Sequence, residues 1–350
     1  MSQFPQGQSL SRNRKILGGF VFAAFVAALA LGAYFYADFR HFAEAPLAPL
    51  PKSATLDVAL GTPLPGIVRD LDARGIRSGP TLYWRLLARQ MGVAGKLHAG
   101  EYALEPGTAP RNLLAKMAAG EVIQHKFTIV EGWTFAQLRD ALAHDASLAQ
   151  TLPALSDAEV MKALGAGGAP PEGWFLPETY QFVKGMSDMD ILRRAHKAMV
   201  DILKKLWDSR AADLPLKSPY EALVLASIVE KETAQPAERA IIAGVFEHRL
   251  KIGMRLQTDP AVIYGIGPAY DGRIHTRDLE TDTPYNTYTR AGLTPTPIAL
   301  PGAAALEAVL HPTSTDALYF VARGDGTHEF SATLEAHNRA VAKYQLHRNP

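Results

Sequence analysis

The chain has 350 residues, with 36 Lys and Arg against 35 Asp and Glu, a formal charge of +1 and no cysteine. Without a basic excess there is nothing to release counterions from a phosphate backbone, which excludes a nucleic-acid partner, and without thiols there are neither disulfides nor sulfur ligands for a metal. The length allows a membrane anchor and about two domains, and the lack of cysteine suits an oxidising compartment.

Residues 1–15 are polar and end in Arg12, Arg14 and Lys15; Ile16 to Tyr36 then runs without a charge. At 1.5 Å per residue that run is about 30 Å long, enough to cross a bilayer core. A cleaved signal peptide is the competing reading, but the run is long for one, and Tyr34, Phe35 and Tyr36 make an aromatic exit suited to a permanent interface. The basic flank puts the N-terminus in the cytoplasm, with the rest outside the inner membrane, in the periplasm of a Gram-negative cell. Residues 37–53 carry Pro46, Pro49 and Pro51 and read as a stiff spacer.

A small mixed domain is expected over 54–125: a strand at Ala54 to Leu60, helices at Leu64 to Arg74 and Thr81 to Gln90, a strand at Gly100 to Leu104 and a helix at Pro110 to Met117. Its Trp84, like Trp133 further on, is either a core residue or a glycan platform. Phe127 to Gly132 with Phe135 to Ala143 repeats the strand, glycine turn and helix of Leu56 to Leu71. Asp145 to Pro171 is rich in Ala, Gly and Pro and reads as an exposed helical linker ending in a loop. In Pro171 to Phe182, acids and aromatics are crowded between prolines. Trp174 and Phe175 are expected to anchor a core, and Glu178 and Tyr180 are candidates for the border of a groove. Met189 to Trp207 is amphipathic, with Ile191, Leu192, Ala195, Met199, Ile202 and Leu203 on one face.

The stretch richest in chemical signal is Ser218 to Asp259. Ala222 to Val229 is almost wholly apolar, so it is a buried helix, and it runs straight into Glu230-Lys231-Glu232-Thr233. Ionisable groups there are either an ordinary solvated helix end or kept for chemistry. Pro236 opens a second helix through Leu250. Beyond it, the loops around Gln257, Thr258, Asp259 and Tyr264, and around Tyr285, Asn286, Thr287 and Tyr288, combine aromatic faces with amides and hydroxyls, the mixture that sugars require. Near the end, Leu318 to Ala322 and His328 to Phe330 flank Gly324-Asp325-Gly326 as a hairpin, and Leu334 to Tyr344 closes the chain as a helix. His311, His328 and His337 lack the one-turn spacing of a zinc helix, so no metal and no cofactor is expected.

The segments LASIVEKETAQPAERAIIAGVFEHRLKIGMRLQTDPAVIYGIG, TPYNTYTRAGLTPTPIALPGAAALEAVLHP and LYFVARGDGTHEFSATLEAHNRAV closely resemble the endolytic murein transglycosylases of the YceG-like (MltG) type. The resemblance covers nearly the whole chain. It implies an α+β fold with a single N-terminal transmembrane helix, a small LysM-like α/β subdomain over 54–125 and a mixed α+β catalytic domain over 126–350. It also implies peptidoglycan glycan strands as substrate, partnership with peptidoglycan synthases, and Glu230, the first glutamate of the SIVEKE segment, as the catalytic residue. In such an enzyme one Glu protonates the glycosidic bond, then takes the proton of the muramoyl C6 hydroxyl to leave a 1,6-anhydro end. Gln257, Thr258, Asp259, Tyr264, Tyr285, Asn286, Thr287, Tyr288 and Glu178 are the expected glycan contacts. Two other readings stay open: a lysozyme-like muramidase with Asp259 or Glu232 as a second carboxylate, and a membrane-held glycan-binding scaffold without catalysis.

Overall fold

In a computed structural model, residues 9–51 and 54–346 are described, the side chains of 9–16 excepted, so the basic N-terminal cluster lies outside the described side chains. The chain divides into two compact units, residues 1–124 and 125–350.

The first unit begins with helix α1, Ser9–Glu44. From Leu17 it is long and apolar enough to cross a membrane, and that stretch is not buried: Phe20, Phe22, Phe25 and Leu29 are all exposed, unlike the core helix of a globular protein. The helix does not stop where the apolar run ends. Phe39, Phe42 and the buried Ala43 pack into the core of the unit, Phe42 edge-on to Trp84 at 5.7 Å, and Tyr83 Oη donates to Asp38 at 2.8 Å. The expected spacer is therefore helical as far as Glu44, and Leu47 beyond it is buried too.

Strand β1 (Ala54–Val58), helices α2 (Leu64–Ala73) and α3 (Thr81–Gln90), strand β2 (Gly100–Leu104) and helix α4 (Pro110–Ala119) complete the unit. The two strands pair antiparallel, Leu56 opposite Tyr102. Trp84 is fully buried and its indole N–H donates to the Ser78 carbonyl at 2.7 Å, so here the core reading of this tryptophan holds.

The second unit runs through β3 (Gln124–Thr128), α5 (Phe135–Ala143), α6 (Asp157–Ala163), β4 (Thr179–Val183), α7 (Asp188–Asp208), α8 (Pro219–Glu232), α9 (Pro236–Lys251), α10 (Asp259–Ile266), α11 (Thr276–Glu280), α12 (Ala303–Leu310), β5 (Tyr319–Ala322), β6 (His328–Ser331) and α13 (Leu334–Tyr344). Helix α8 is its axis. Ser218 caps it by accepting the Glu221 N–H, Pro219 fits the first turn, and Ala222 to Val229 are all buried against α7, α9, α10 and α12. Each of its Leu, Ile and Val side chains contributes about 1.5–3 kcal/mol of burial. Ser227, the polar group in this run, is matched: its hydroxyl donates to the Val224 carbonyl and accepts the Ile298 N–H at 2.9 Å, fixing the loop that leads to α12.

A second core forms around α5, α6, β3, β4 and the first half of α7, with Phe135 and Phe175 stacked at 5.1 Å. Asp145 to Pro171 is not an exposed linker: Val160 and Met161 of α6 are fully buried in this core, and α6 carries its own capping box, Ser156 with Glu159. Tyr180 is core as well, its hydroxyl donating to the Leu176 carbonyl at 2.8 Å. The hairpin of β5 and β6 forms as expected, Ala322 opposite His328, with Gly324 and Gly326 at positive φ in the turn.

Glu247 of α9 is 3 % exposed, one of its oxygens has no hydrogen-bond partner, and burial pushes its carboxyl up to about 8. A carboxyl raised on folding holds its proton in the native state, so its contribution is intact below the unfolded value and is lost as pH rises through about 8. Glu247→Met is accordingly expected to raise stability on the order of 2 kcal/mol at pH 9 and to change little at pH 4, read from denaturant melts at both.

Candidate active site

Two carboxylates close α8, and helical geometry sends them apart: at about 100° per residue, positions two apart point roughly 200° from one another. Glu230 and Glu232 therefore serve different surroundings.

Glu230 turns inward. Its side chain is 5 % exposed, one oxygen lies 3.8 Å from the buried Arg239 guanidinium, and the other accepts the Gly302 N–H at 3.0 Å. Burial raises its proton affinity, the Gly302 N–H opposes this, and the nearby charge of Glu131 raises it further. The Glu131 carboxylate lies close over Gly302, where a Cβ would make it move aside.

Glu232 faces a cavity of about 560 Å³ whose walls include Arg249, Gln257, Asp259, Tyr288 and Tyr319. Its carboxyl accepts a hydrogen bond from the Thr258 hydroxyl. Burial pushes it up to about 7 and the neighbouring Asp259 pushes the same way, against the opposing pull of Thr258, His328 and Arg249. A carboxyl with that affinity can give a proton and take one back near neutrality.

The cavity is stiffly built. Tyr288 Oη donates to Asp259 at 2.6 Å. Arg249, nearly buried, is fixed by donating to the carbonyls of Leu318 and Leu256, with its guanidinium 5.5 Å from the Tyr319 ring centre. His328 is paired with Glu238 at 2.7 Å. Gln257 sits at φ +50°, a left-handed conformation costly for a residue with a side chain, and is held there as its N–H donates to the Thr287 carbonyl at 3.1 Å.

Of the residues expected to contact glycan, Gln257, Asp259 and Tyr288 line this cavity and Thr258 bonds its acid. The others do different work. Asn286 is 1 % exposed: its amide donates to the carbonyls of Asp278, Leu279 and Thr281 and its oxygen accepts the Tyr288 N–H, so it shapes the loop and has no group left for a ligand. Thr287, also buried, braces Thr258, whose N–H it accepts at 2.9 Å. Tyr264 and Tyr285 meet edge to face at 5.0 Å, and their hydroxyls bond Glu172 and Thr296, away from the Glu232 cavity. Tyr264 instead lines a second cleft, of about 660 Å³, with Glu172 and Lys231. Glu178 is exposed just before β4, where its carbonyl accepts the Ile129 N–H, and it lines neither space.

Several residues of the site carry no sequence signal of their own. Arg249 lies on α9 beside Glu247, His248 and Lys251, one charge in a charged helix end, and Tyr319 and His328 sit on the two strands of a hairpin read from its turn chemistry alone. Glu172 is 6 % exposed and accepts the Phe135 N–H at 2.9 Å and the Tyr264 hydroxyl at 3.1 Å; burial pushes it up to about 7. The crowding of acids around it in Pro171 to Phe182 pointed to this region, but to Glu178. Among the described residues no group of three or more His, Cys, Asp or Glu is placed to hold a metal.

A carboxyl titrating near neutrality in a cavity walled by tyrosines, an amide and a fixed guanidinium has the chemistry of an acid–base centre for a polyhydroxylated substrate. Known proteins agree in kind. The model of the YceG-like family matches residues 56–343. An endolytic murein transglycosylase of Bacillus subtilis (strain 168) is 35 % identical over 276 residues, covering 73 % of this chain and 75 % of the relative. One of Streptococcus pneumoniae (strain ATCC BAA-255 / R6) is 28 % identical over 360 residues, covering 92 % of this chain but 64 % of the relative, so this chain spans just under two thirds of that protein. A crystal structure of a YceG-like protein from Listeria monocytogenes superposes with a TM-score of 0.51 at 30 % identity, covering 83 % of this chain and 99 % of that one. The chain belongs to the YceG-like family.

Proposed function

We propose that the chain is a membrane-anchored endolytic lytic transglycosylase that cuts the β-1,4 bond between MurNAc and GlcNAc inside nascent glycan strands, with Glu232 as its acid and base. The observation that carries this is the Glu232 carboxyl, poised near 7 and facing a polar, aromatic-walled cavity. The names of the curated relatives supply the polymer. The sequence expectation put the catalytic role on Glu230, and the geometry favours its neighbour: Glu230 is occupied by Arg239 and Gly302 and lines neither of the two cavities beside α8.

The protonated Glu232 gives its proton to the bridging oxygen as the C1–O bond breaks. The positive charge that develops on the ring faces a carboxylate, with Asp259 and its Tyr288 partner close by. The Glu232 carboxylate then removes the proton from the C6 hydroxyl, O6 closes on C1 to give the 1,6-anhydro end, and the acid is restored with no water consumed. Asp259 keeps the muramidase reading alive, since it shares the cavity with Glu232 and acts on its proton affinity. Mass spectrometry of muropeptides released by the purified protein decides between them. Products lighter by one water support the transglycosylase; reducing-end products carrying solvent oxygen identify a muramidase; no product from active-concentration protein returns the chain to a glycan-binding scaffold.

The same reading sets the pH dependence. Catalysis begins from the protonated acid, so kcat/KM falls as pH rises through about 7. Thr258 donates to the carboxylate and so lowers the pKa; Thr258→Val is expected to move that falling limb upward by about one pH unit, measured on a pH–rate profile. Residues 16–36 would hold the enzyme in the inner membrane with its catalytic part in the periplasm, beside strands just leaving the peptidoglycan synthases. The strand–helix–helix–strand order of the first unit supports a LysM-like glycan-binding role, although not one using Trp84.

A further inference from the structure

The cleft on the other side of the α8 terminus is chemically unlike the acid's cavity. Its walls are Ala136, Pro260, Ile263, Pro268 and Ile298, with the Tyr264 ring. Its polar groups are largely spoken for: Thr134 and Gln137 bond each other in a capping box, and Glu172 accepts from Phe135 and Tyr264. A saccharide carries hydroxyls around its whole rim and would leave several unsatisfied there. Lys231 differs. It is exposed, its ammonium makes one hydrogen bond, to the Gly132 carbonyl at 3.2 Å, and among the described residues it forms no ion pair.

The cleft also adjoins the acid's cavity at two places in the chain. Lys231 and Pro260 line the cleft, while their immediate neighbours Glu232 and Asp259 line the cavity. A substituent on a polymer seated against Glu232 has only the end of α8 to cross before it reaches the cleft. In murein that substituent is a lactyl ether carrying a short peptide, with alanyl methyl groups and free carboxylates.

Resting on the transglycosylase reading above, we propose that this cleft holds the lactyl-peptide substituent of the muramoyl residue beside the cut, its methyl groups against Ile263, Pro260 and Ile298 and a carboxylate on the Lys231 ammonium. The enzyme then distinguishes peptide-bearing from peptide-free glycan.

The test uses the full chain in detergent micelles with two substrates, glycan strands carrying their peptides and the same strands stripped by an amidase. The wild type is expected to show a kcat/KM about tenfold higher on the peptide-bearing strands. In Lys231→Met most of that preference disappears through KM, and Lys231→Arg restores it. Equal use of both strands by the wild type, or a preference that survives both Lys231→Met and Ile263→Asp, overturns the proposal. Cleavage of neither strand by the wild type sinks the transglycosylase reading instead. The cleft is then judged by calorimetry with a lactyl-alanyl-glutamyl peptide: binding weakened about tenfold in Lys231→Met supports it, and no binding or an unchanged affinity overturns it.

Discussion

Replacing Glu232 with glutamine is expected to lower kcat on murein by about 10³-fold while the protein melts within a few degrees of the wild type. Glutamine keeps the shape and still accepts from Thr258, but it can neither give a proton to the bridging oxygen nor take one from the C6 hydroxyl. The carboxyl that is lost is one that burial already disfavours as an anion, so its removal does not weaken the fold. Product formation in a discontinuous muropeptide assay, with a thermal melt run beside it, checks both halves. Full activity in Glu232→Gln would remove Glu232 from the chemistry.

Glu230→Ala should do the reverse. It leaves the Arg239 cation buried without its carboxylate and the Gly302 N–H without its acceptor, and breaking a buried pair from one side costs about 3 kcal/mol. Denaturant midpoints are expected to fall accordingly, with activity per folded molecule reduced far less than in Glu232→Gln. Glu230→Gln, which can still accept from Gly302, should lie between. A Glu230→Gln protein of normal stability and no activity would return the acid's role to Glu230.

The contrast shows which part of the site the sequence could express. The apolar run of α8 announced a buried helix, and the charged triplet after it announced something at its end; both are one-dimensional facts and both are found. Which glutamate faces the cavity depends on what lies on each side of the helix, and those walls come from α9, α10, the hairpin and α13, up to more than a hundred residues away. Asn286 and Thr287 were read as sugar ligands for their chemistry, but that same chemistry braces loops, and burial decides between the two uses. The helical character of Asp145 to Pro171 was legible but its burial was not: Leu148, Leu152, Val160 and Met161 reach the core from a stretch whose Ala, Gly and Pro content resembles a linker. α7 was plain because its stripe of buried residues recurs over many turns.

The continuity of α1 has a mechanical meaning. A span joined to its domain by a loose tether lets that domain sweep a wide shell above the lipid; here Phe39, Phe42 and Ala43 of the same helix are part of the core of the first unit, with Arg111 paired to Glu44 at 2.6 Å. With residues 16–36 in a bilayer, the first unit cannot drift away or turn over without unwinding helix or opening its own core. In that arrangement its height and facing would be set by the helix itself, and anything the unit bound would be met at one fixed level above the membrane, at an effective concentration high in that layer and negligible outside it.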